Sequence, residues 1–227
     1  MLAVVNNFNL LDWPRAMVAW MAREPRLEIV VLDNASTYPP LLEWYAKDCP
    51  VEVVRLDRDV GCRAPWDTGL VAHRKGNEPY IVTDPDLDLA GIPEGWLDVL
   101  QTGIDYPGIT KCGFSLAVAD LPMDVPQYEW VKSTQAPCWN DFDADLNHYC
   151  RAGVDTTFAL YRTDASRRPR TTNLRSKPPF TARHLPWYVK PCEIPDDFLW
   201  FLQRASLTKS IGSTLTREFG QALIGQK

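Results

Sequence analysis

The sequence lacks the cysteine spacing of a zinc site or a redox centre, and it has little positive charge. Its six cysteines are scattered with no CxxC pair, which predicts reduced, mostly buried thiols. The 24 basic residues are outnumbered by 29 acidic ones, giving a formal net charge of −5. A general nucleic-acid binder would need a basic surface, so no such binding is expected.

Long hydrophobic runs are also missing. No apolar stretch approaches the roughly 20 residues that a transmembrane helix needs, so we expect no membrane-spanning segment. The first residues, MLAVVNNFNLLDW, carry no basic n-region and no cleavage-site pattern. The expected location is therefore the cytoplasm.

The first half of the sequence alternates apolar runs with amphipathic segments. Strands are predicted at 2–6, 27–34, 51–56 and 79–84, and helices at 12–23, with Asp12 as N-cap, 41–48 and 66–75. Strand–helix–strand units of this length favour parallel pairing with right-handed crossovers. The pattern predicts an α/β fold with a doubly wound, Rossmann-like, mostly parallel sheet and helices on both faces.

The pattern loosens after about residue 92. Two further strands are predicted at 109–120 and 154–162, and 121–153 is predicted to be loop with one or two short helices. The segment 163–190 is basic and turn-rich, which predicts mobility, and 191–227 predicts two helices. We expect a single domain over 1–227, whose loop-rich second half extends the sheet and shapes a pocket.

Acidic residues follow the fourth predicted strand, in the stretch PYIVTDPDLDL. Because Pro85 keeps the backbone extended, the side chains of Asp84 and Asp86 should project together beyond the strand. Adjacent carboxylates repel each other unless a cation joins them, and hard oxygen ligands suit Mg²⁺ or Mn²⁺. The alternative is a solvated acidic turn. Ligands of doubly wound sheets bind beyond the carboxyl ends of the strands, where Asn6 and Asp33 are also expected.

Four stretches, in this order, resemble the nucleotide-sugar half of a GT-A-fold glycosyltransferase of the family 2 type. They are VVNNFN, VVLDNAST, DVGCRAPW and YIVTDPDLDL; they cover residues 2–91, and a weaker likeness extends to about 190. The stretch VGCRAPWDTG departs from the family pattern by lacking both of its asparagines. The resemblance implies a metal-dependent hexosyl- or pentosyltransferase with a nucleotide-sugar-binding half (1–91), an acceptor and catalytic half (92–190) and C-terminal helices (191–227).

The resemblance also implies roles for individual residues. Asn6 would line the nucleoside pocket, and Asp33 would accept a hydrogen bond from the base, most naturally uracil, which favours a UDP-sugar donor. Arg63 would approach the nucleotide. Asp84 would contact the ribose or the metal site, and Asp86 would bind the Mn²⁺ or Mg²⁺ that bridges the diphosphate.

The same resemblance points to two positions in the second half. Asp155 is the candidate base that would take the proton of the acceptor hydroxyl, and Glu129 and Asp141 are the runners-up. His184 is the candidate further metal ligand, since a neutral imidazole suits Mn²⁺. The alternatives are a structural cap for Asp155 and a packed side chain for His184.

Basic and aromatic residues of the second half could complete the site. A mobile basic loop could close over the diphosphate, or the charges could simply be solvated; these residues are Arg162, Arg167, Arg168, Arg170, Arg175 and Lys177. Four aromatic residues could stack on sugar rings or could pack in the core; they are Trp130, Trp139, Trp187 and Tyr188. For His73 and His148 a structural role is preferred.

Two other functions fit the sequence. A phosphotransferase of the haloacid-dehalogenase type also places a DxD motif after a strand, although there the strand is normally the first. A non-catalytic sugar- or nucleotide-binding module would keep Asp33 and an aromatic groove without needing a metal. The acceptor of a glycosyltransferase stays open: a glycan, a lipid-linked sugar, a protein or a modified base.

Overall fold

The computed structural model describes residues 1–140, 146, 148–163, 173–190 and 192–205. Its strands, over these residues, are β1 (Leu2–Asn7), β2 (Glu28–Asp33), β3 (Glu52–Arg55), β4 (Tyr80–Thr83), β5 (Leu87–Asp88), β6 (Lys111–Gly113), β7 (Ser115–Leu116), β8 (Tyr149–Arg151), β9 (Ala159–Tyr161), β10 (Asn173–Ser176) and β11 (Thr181–His184).

Eight of these strands form one central sheet in the order β3-β2-β1-β4-β9-β6-β10-β8. The pairs from β3 to β4 are parallel, and so is the pair of β6 with β10. Strand β9 runs antiparallel to both of its neighbours, and β8 runs antiparallel to β10. A smaller sheet has the order β5-β11-β7, and its strand β5 is the next strand after β4 in the chain.

The helices within the described residues are α1 (Asp12–Met21), α2 (Pro39–Lys47), α3 (Ala64–Asp67), α4 (Leu70–Arg74), α5 (Trp96–Asp105), α6 (Tyr128–Asn140) and α7 (Asp196–Arg204). A 3₁₀ turn covers Leu185–Tyr188. Helix α1 forms where Pro14 fits the first turn, and its buried residues, among them Met17, Val18 and Met21, recur at helical spacing.

Alternate residues of the parallel strands supply two hydrophobic clusters, because successive side chains of a strand point to opposite faces. Val5 and Val31 pack in one cluster with buried residues of α1, α2 and α5. Val4 and Val30 pack in the other with Ala64 of α3 and Val71 of α4. The sheet is therefore covered by helices on both faces, and the predicted Rossmann-like α/β class is confirmed.

Several element predictions were wrong in detail. Helix α1 begins at Asp12 with Leu11 as its N-cap, so Asp12 is not the cap. The helix predicted at 66–75 is split into α3 and α4, because Gly69 adopts φ +78°. The segment 121–153 contains the 13-residue α6 as well as β8.

The largest differences lie in the segment 163–190. Where a mobile basic loop was predicted, residues 173–176 and 181–184 are strands, β10 in the central sheet and β11 in the small sheet. The strand predicted at 109–120 is divided between the two sheets, with β6 in the large one and β7 in the small one. None of the described helices combines the length and hydropathy that crossing a bilayer requires. The second helix predicted near the C-terminus lies outside the described residues.

Candidate functional site

The carboxyl end of β4 carries a buried carboxylic acid. Asp84 follows the last residue of β4 and is only 5% exposed. Its backbone N–H donates to the carbonyl of Thr156 (3.0 Å), and the Thr156 hydroxyl donates to Asp84 Oδ2 (2.8 Å). Burial, and next the charge of Asp86, raise the pKa of Asp84 well above its ordinary value. This carboxyl is fixed in position and tends to hold its proton.

The second aspartate of the motif faces a histidine from the small sheet. Strand β11 pairs antiparallel with β5, so that His184 lies opposite Leu87. This pairing places Nε2 of His184 3.4 Å from Oδ2 of Asp86. His184 is 5% exposed, and the ring of Trp187 packs against its imidazole at 4.7 Å between centroids. Asp86 and His184, which the resemblance predicts to be metal ligands, are therefore neighbours in the fold, and the metal role itself stays a prediction.

Two polar atoms of this pair have no hydrogen-bond partner although they are buried. They are Oδ1 of Asp86 and Nδ1 of His184. Buried polar atoms are nearly always paired, so these two atoms are exceptions; they are not the atoms that face each other, which are Oδ2 of Asp86 and Nε2 of His184. This feature could not be inferred from the sequence, because it depends on the pairing of β5 with β11.

The Asp86–His184 pair fits part of a divalent-cation site. Adjacent ligands of a six-coordinate Mg²⁺ or Mn²⁺ lie about 3 Å apart when each metal–ligand bond is about 2.1 Å. The observed 3.4 Å between the carboxylate oxygen and the imidazole nitrogen requires only a small adjustment. Among the described residues no cluster of three or more His, Cys, Asp or Glu side chains is arranged as a complete metal site. A cation held here would therefore need water and substrate oxygens, as Mg²⁺ commonly does with phosphates.

Asp155 is exposed beside this acidic centre. Its charge contributes to the raised pKa of Asp84, whereas the charge of Lys111 lowers that pKa. Lys111 also donates a long hydrogen bond from Nζ to the backbone carbonyl of Asp155 (3.4 Å). The structure thus brings Asp155 into the neighbourhood of Asp84, and it adds Thr156 and Lys111, which the sequence analysis missed. Thr156 could have been suspected from its place next to Asp155 in VDTT.

The predicted base-binding residue is held by protein groups. Asp33 is 0% exposed. Its Oδ2 accepts hydrogen bonds from the backbone N–H of Ser36 (3.1 Å) and from Arg55 Nε (3.2 Å), and Oδ1 accepts one from the Tyr45 hydroxyl (3.3 Å). Burial, and next the charge of Asp33, raise the pKa of Tyr45, so this phenol remains a donor. A nucleobase would have to displace one of these donors, and recognition of the base by Asp33 stays a prediction.

Asn6 anchors the loop that follows β3. Its Nδ2 donates to the carbonyl of Gly61 (3.2 Å), and its Oδ1 accepts from Nδ2 of Asn34 (2.7 Å). Oδ1 of Asn34 in turn accepts from the backbone N–H of Val60 (3.2 Å). The two asparagines therefore fix the loop 60–63 across the ends of β1 and β2. Arg63, in that loop, makes an exposed ion pair with Asp67 (3.1 Å).

The remaining predicted residues are dispersed. Glu129 is exposed in the first turn of α6, and Asp141 lies outside the described residues. Trp187 is buried in the hydrophobic core, and Trp130 packs against that core. The hydroxyl of Tyr188 donates a hydrogen bond to Asp120 Oδ1 (2.8 Å). For Trp130 and Trp187 the core alternative applies. His73 and His148 are exposed, and within the described residues neither belongs to a group of three or more potential metal ligands.

The basic residues predicted to act together do not lie in one loop. Arg167, Arg168 and Arg170 lie outside the described residues. Arg162 directly follows β9 and Lys177 directly follows β10. Arg175 is a residue of β10 itself and is buried. The expectation of a mobile basic loop is therefore wrong for the described part of the segment, because two strands form there.

The fold and site together define an α/β protein with a buried aspartate, a partly buried aspartate and a buried histidine beyond the carboxyl end of β4. No protein-family model matches the chain, and no curated protein sequence does. Among solved structures that match is the "Crystal structure of S. aureus TarS 1-349", with 17% identity and a TM-score of 0.43. The match covers 71% of this chain and 46% of the TarS chain, so this chain spans less than half the length of the TarS structure. A likeness this loose says nothing about activity.

Proposed function

We propose that the protein is a metal-dependent glycosyltransferase that moves a sugar from a nucleotide-diphosphate sugar, UDP-sugar favoured, to a hydroxyl acceptor. The observation that carries the proposal is the 3.4 Å contact of Asp86 Oδ2 with His184 Nε2, because a carboxylate oxygen and an imidazole nitrogen at this separation suit one divalent cation. The pair lies beyond the carboxyl end of a strand in a doubly wound sheet, where such folds bind their ligands. The ordered motifs of residues 2–91 give the same expectation.

The proposed chemistry requires stabilisation of a leaving group. Breaking the bond between an anomeric carbon and a nucleoside diphosphate leaves a highly charged diphosphate, and a bound Mn²⁺ or Mg²⁺ would offset that charge. Asp86 and His184 are the residues that would hold the cation. Asp84, kept in place by the Thr156 hydroxyl and backbone, would bind the ribose or a water on the cation.

The acceptor needs a group that removes its proton. Asp155 is proposed for this role, because it is exposed and its charge acts on the buried Asp84. A carboxylate can accept a proton from a hydroxyl within hydrogen-bond reach. The two carboxyl groups have different environments, since Asp84 is buried and Asp155 is exposed.

Nucleotide recognition is the part of the proposal that demands a local change. Asp33 would read the base only after Tyr45 or Arg55 moves, since both now donate to its carboxylate. The Arg55 side chain is about half exposed, so it is the more easily displaced of the two. Asn6 and Asn34 would contribute by shaping the loop 60–63 that borders the nucleoside.

A thermal-shift panel tests the proposal. The protein is melted with UDP, GDP, ADP or CDP, each in Mn²⁺ and each in EDTA. A ligand present at 100 times its dissociation constant adds about 2.7 kcal/mol of stability. For a chain of this size that corresponds to a rise in Tm of roughly 5–10 °C. We expect this rise for UDP with Mn²⁺ and a much smaller one in EDTA. No shift with any nucleotide, or equal shifts with and without metal, would contradict the proposal.

Two inexpensive assays separate the alternatives. Metal-dependent release of UDP from a UDP-sugar, with or without acceptor, would exclude a non-catalytic binding module. Turnover of a generic phosphate ester would instead favour the phosphotransferase. The fold disfavours that alternative, because the DxD motif follows β4, after β1, β2 and β3, whereas the phosphotransferases of that type normally place it on the first strand.

A further inference from the structure

Strand β10 carries an arginine whose charge is buried. Arg175 is 6% exposed. Its Nε donates to the backbone carbonyl of Gly153 (2.9 Å), and its Nη1 donates to Oε1 of Gln135 on α6 (2.9 Å). Both of these acceptors are neutral. Within the part of the chain that the structure describes, no carboxylate pairs with the guanidinium.

A buried guanidinium without a counter-charge is costly, because desolvation removes the hydration that stabilises the ion. Buried arginines are therefore normally paired with a carboxylate or with a bound anion. Of the five N–H groups of Arg175, two are used by Gly153 and Gln135. The remaining N–H groups are one on Nη1 and two on Nη2, and guanidinium N–H groups bind oxyanions through charge-assisted hydrogen bonds.

The Nη2 group of Arg175 is not completely sealed. Among the described residues it has no hydrogen-bond partner, yet it is not one of the unpartnered polar atoms that are fully buried. Gly153, which fixes Nε, is half-buried, and the neighbouring Asp155 is exposed. The guanidinium is therefore bound to a segment that is partly exposed, and its acceptor Gly153 lies two residues before the candidate base.

The location distinguishes this site from the proposed donor site. In the sheet, β10 is separated from β4 by β9 and β6, which makes three strand spacings, or about 14 Å at about 4.8 Å each. From β10 to β1, the strand of Asn6, the distance is one strand spacing longer. Arg175 is tied through Nε to Gly153, two residues before the candidate base Asp155, rather than to the Asp86–His184 pair.

We propose that Arg175 binds an oxyanion, a phosphate or a carboxylate, carried by the acceptor. The protein would then glycosylate an acidic molecule, whose charged group is anchored at Arg175 while its hydroxyl reaches Asp155. The assignment of the anion to an acceptor rests on the proposed glycosyl transfer. The anion site itself rests on the burial of Arg175 and on its unused N–H groups.

Direct binding measurements test the site. Inorganic phosphate and acetate are titrated separately by calorimetry in EDTA, which removes any contribution from a metal-bound anion. We expect saturable, one-site binding to the wild-type protein in the millimolar range for one of the two. Preference for phosphate would indicate a phosphorylated acceptor, and preference for acetate would indicate an acidic sugar or another carboxylate. Absence of saturable binding of both probes to the wild type would overturn the proposal without reference to any variant.

Three variants locate the binding. Arg175→Gln should weaken binding of the preferred probe by about tenfold or more, because charged hydrogen bonds are lost. Arg175→Lys, which keeps the charge without the fork, should weaken it less. Arg15→Gln is the matched control, since Arg15 is exposed in an ion pair with Asp12, and it should bind like the wild type. Equal binding by Arg175→Gln and the wild type, with both folded by circular dichroism, would refute the site.

A second readout separates this proposal from the proposed function. The UDP-plus-Mn²⁺ thermal shift should survive in Arg175→Gln, and binding of the oxyanion should survive in Asp86→Asn. Loss of the UDP shift in Arg175→Gln, with its Tm in buffer unchanged, would assign Arg175 to the donor and overturn the acceptor role. If the wild type shows no UDP shift but binds the oxyanion at Arg175, the glycosyltransferase proposal fails and the anion site stands.

Discussion

A buried aspartate on α7 links the two ends of the described chain, and its removal should lower stability in a predictable way. Asp197 is buried, and its Oδ2 accepts hydrogen bonds from the backbone N–H groups of Leu11 (2.8 Å) and Asp12 (3.2 Å) at the start of α1. Its Oδ1 accepts from the N–H of Phe198 (2.7 Å). No side chain of α1 caps its own N-terminus, so Asp197 supplies the cap from α7.

The magnitude follows from these three bonds. A helix-capping side chain contributes about 0.5–2 kcal/mol, and a hydrogen bond to a charged group contributes about 1.5–3 kcal/mol. Water can partly replace the carboxylate at Leu11 and Asp12, which are not fully buried. We therefore expect Asp197→Ala to lower the free energy of unfolding by about 2–3 kcal/mol, which is about 4–12 °C in Tm for a protein of this size.

Chemical denaturation and thermal melting measure this loss. Asp197→Asn keeps one acceptor oxygen and should lose about half as much stability. Asp196→Ala is the matched control, because the neighbouring Asp196 is exposed, and its change should stay within about 0.5 kcal/mol. The reasoning is refuted if Asp197→Ala and Asp196→Ala have the same midpoint.

Two further predictions concern the sheet and the acidic motif. Gly113→Ala should lower the free energy of unfolding by about 2 kcal/mol or more in a urea titration, because a Cβ would lie 2.6 Å from the Phe158 carbonyl oxygen. Gly91→Ala is the control: its Cβ would meet no atom within 4 Å, so its stability should not change. Asp84→Asn should stabilise the metal-free protein at neutral pH. Burial, and next the charge of Asp86, raise the pKa of Asp84 in the native state. The wild-type protein therefore loses stability as the pH rises above 3.8, the ordinary pKa of the group, towards that raised pKa. Melting in EDTA across this pH range should show the gain of Asp84→Asn shrinking to nothing near the lower limit; a gain independent of pH would contradict this cause.

The sheet order around β1 follows from local patterns, whereas the small sheet does not. The strands β1, β2 and β4 are continuous apolar runs, buried on both faces, and such runs can be recognised in a sequence. Strands β5 and β7 have two residues each, too few for any periodicity. They exist because β11, about 65 to 95 residues further on, pairs with both. Long-range pairing therefore decided the elements that were mispredicted.

The candidate site also has features that local sequence predicts and features that only long-range strand pairing explains. The place of Asp84 and Asp86 directly after β4 could be predicted, because a proline-spaced acidic pair after an apolar run is a local signal. The proximity of His184 to Asp86 was expected only by resemblance, and the physical cause is the pairing of β11 with β5. The partners of Asp33 could not be foreseen, because Arg55 reaches it from the adjacent strand β3.

Arg175 shows how a composition-based expectation fails. In the sequence it belongs to a basic, turn-rich run, which is typically solvated. In the fold it sits on β10 between β6 and β8, with Gly113 and Cys150 as its register partners. Its burial thus results from pairing with strands that are distant in the sequence.

The central claim is that Asp86 and His184 hold a divalent cation for a nucleotide diphosphate. The most direct test measures Mn²⁺ binding in the presence of UDP, using the electron paramagnetic resonance signal of the free ion. The wild type is compared with Asp86→Asn, and Asp88→Asn is the matched control on the same segment. The account predicts one saturable site in the wild type and in Asp88→Asn, and at least tenfold weaker binding in Asp86→Asn at unchanged Tm. Equal Mn²⁺ affinity in Asp86→Asn and the wild type would contradict it.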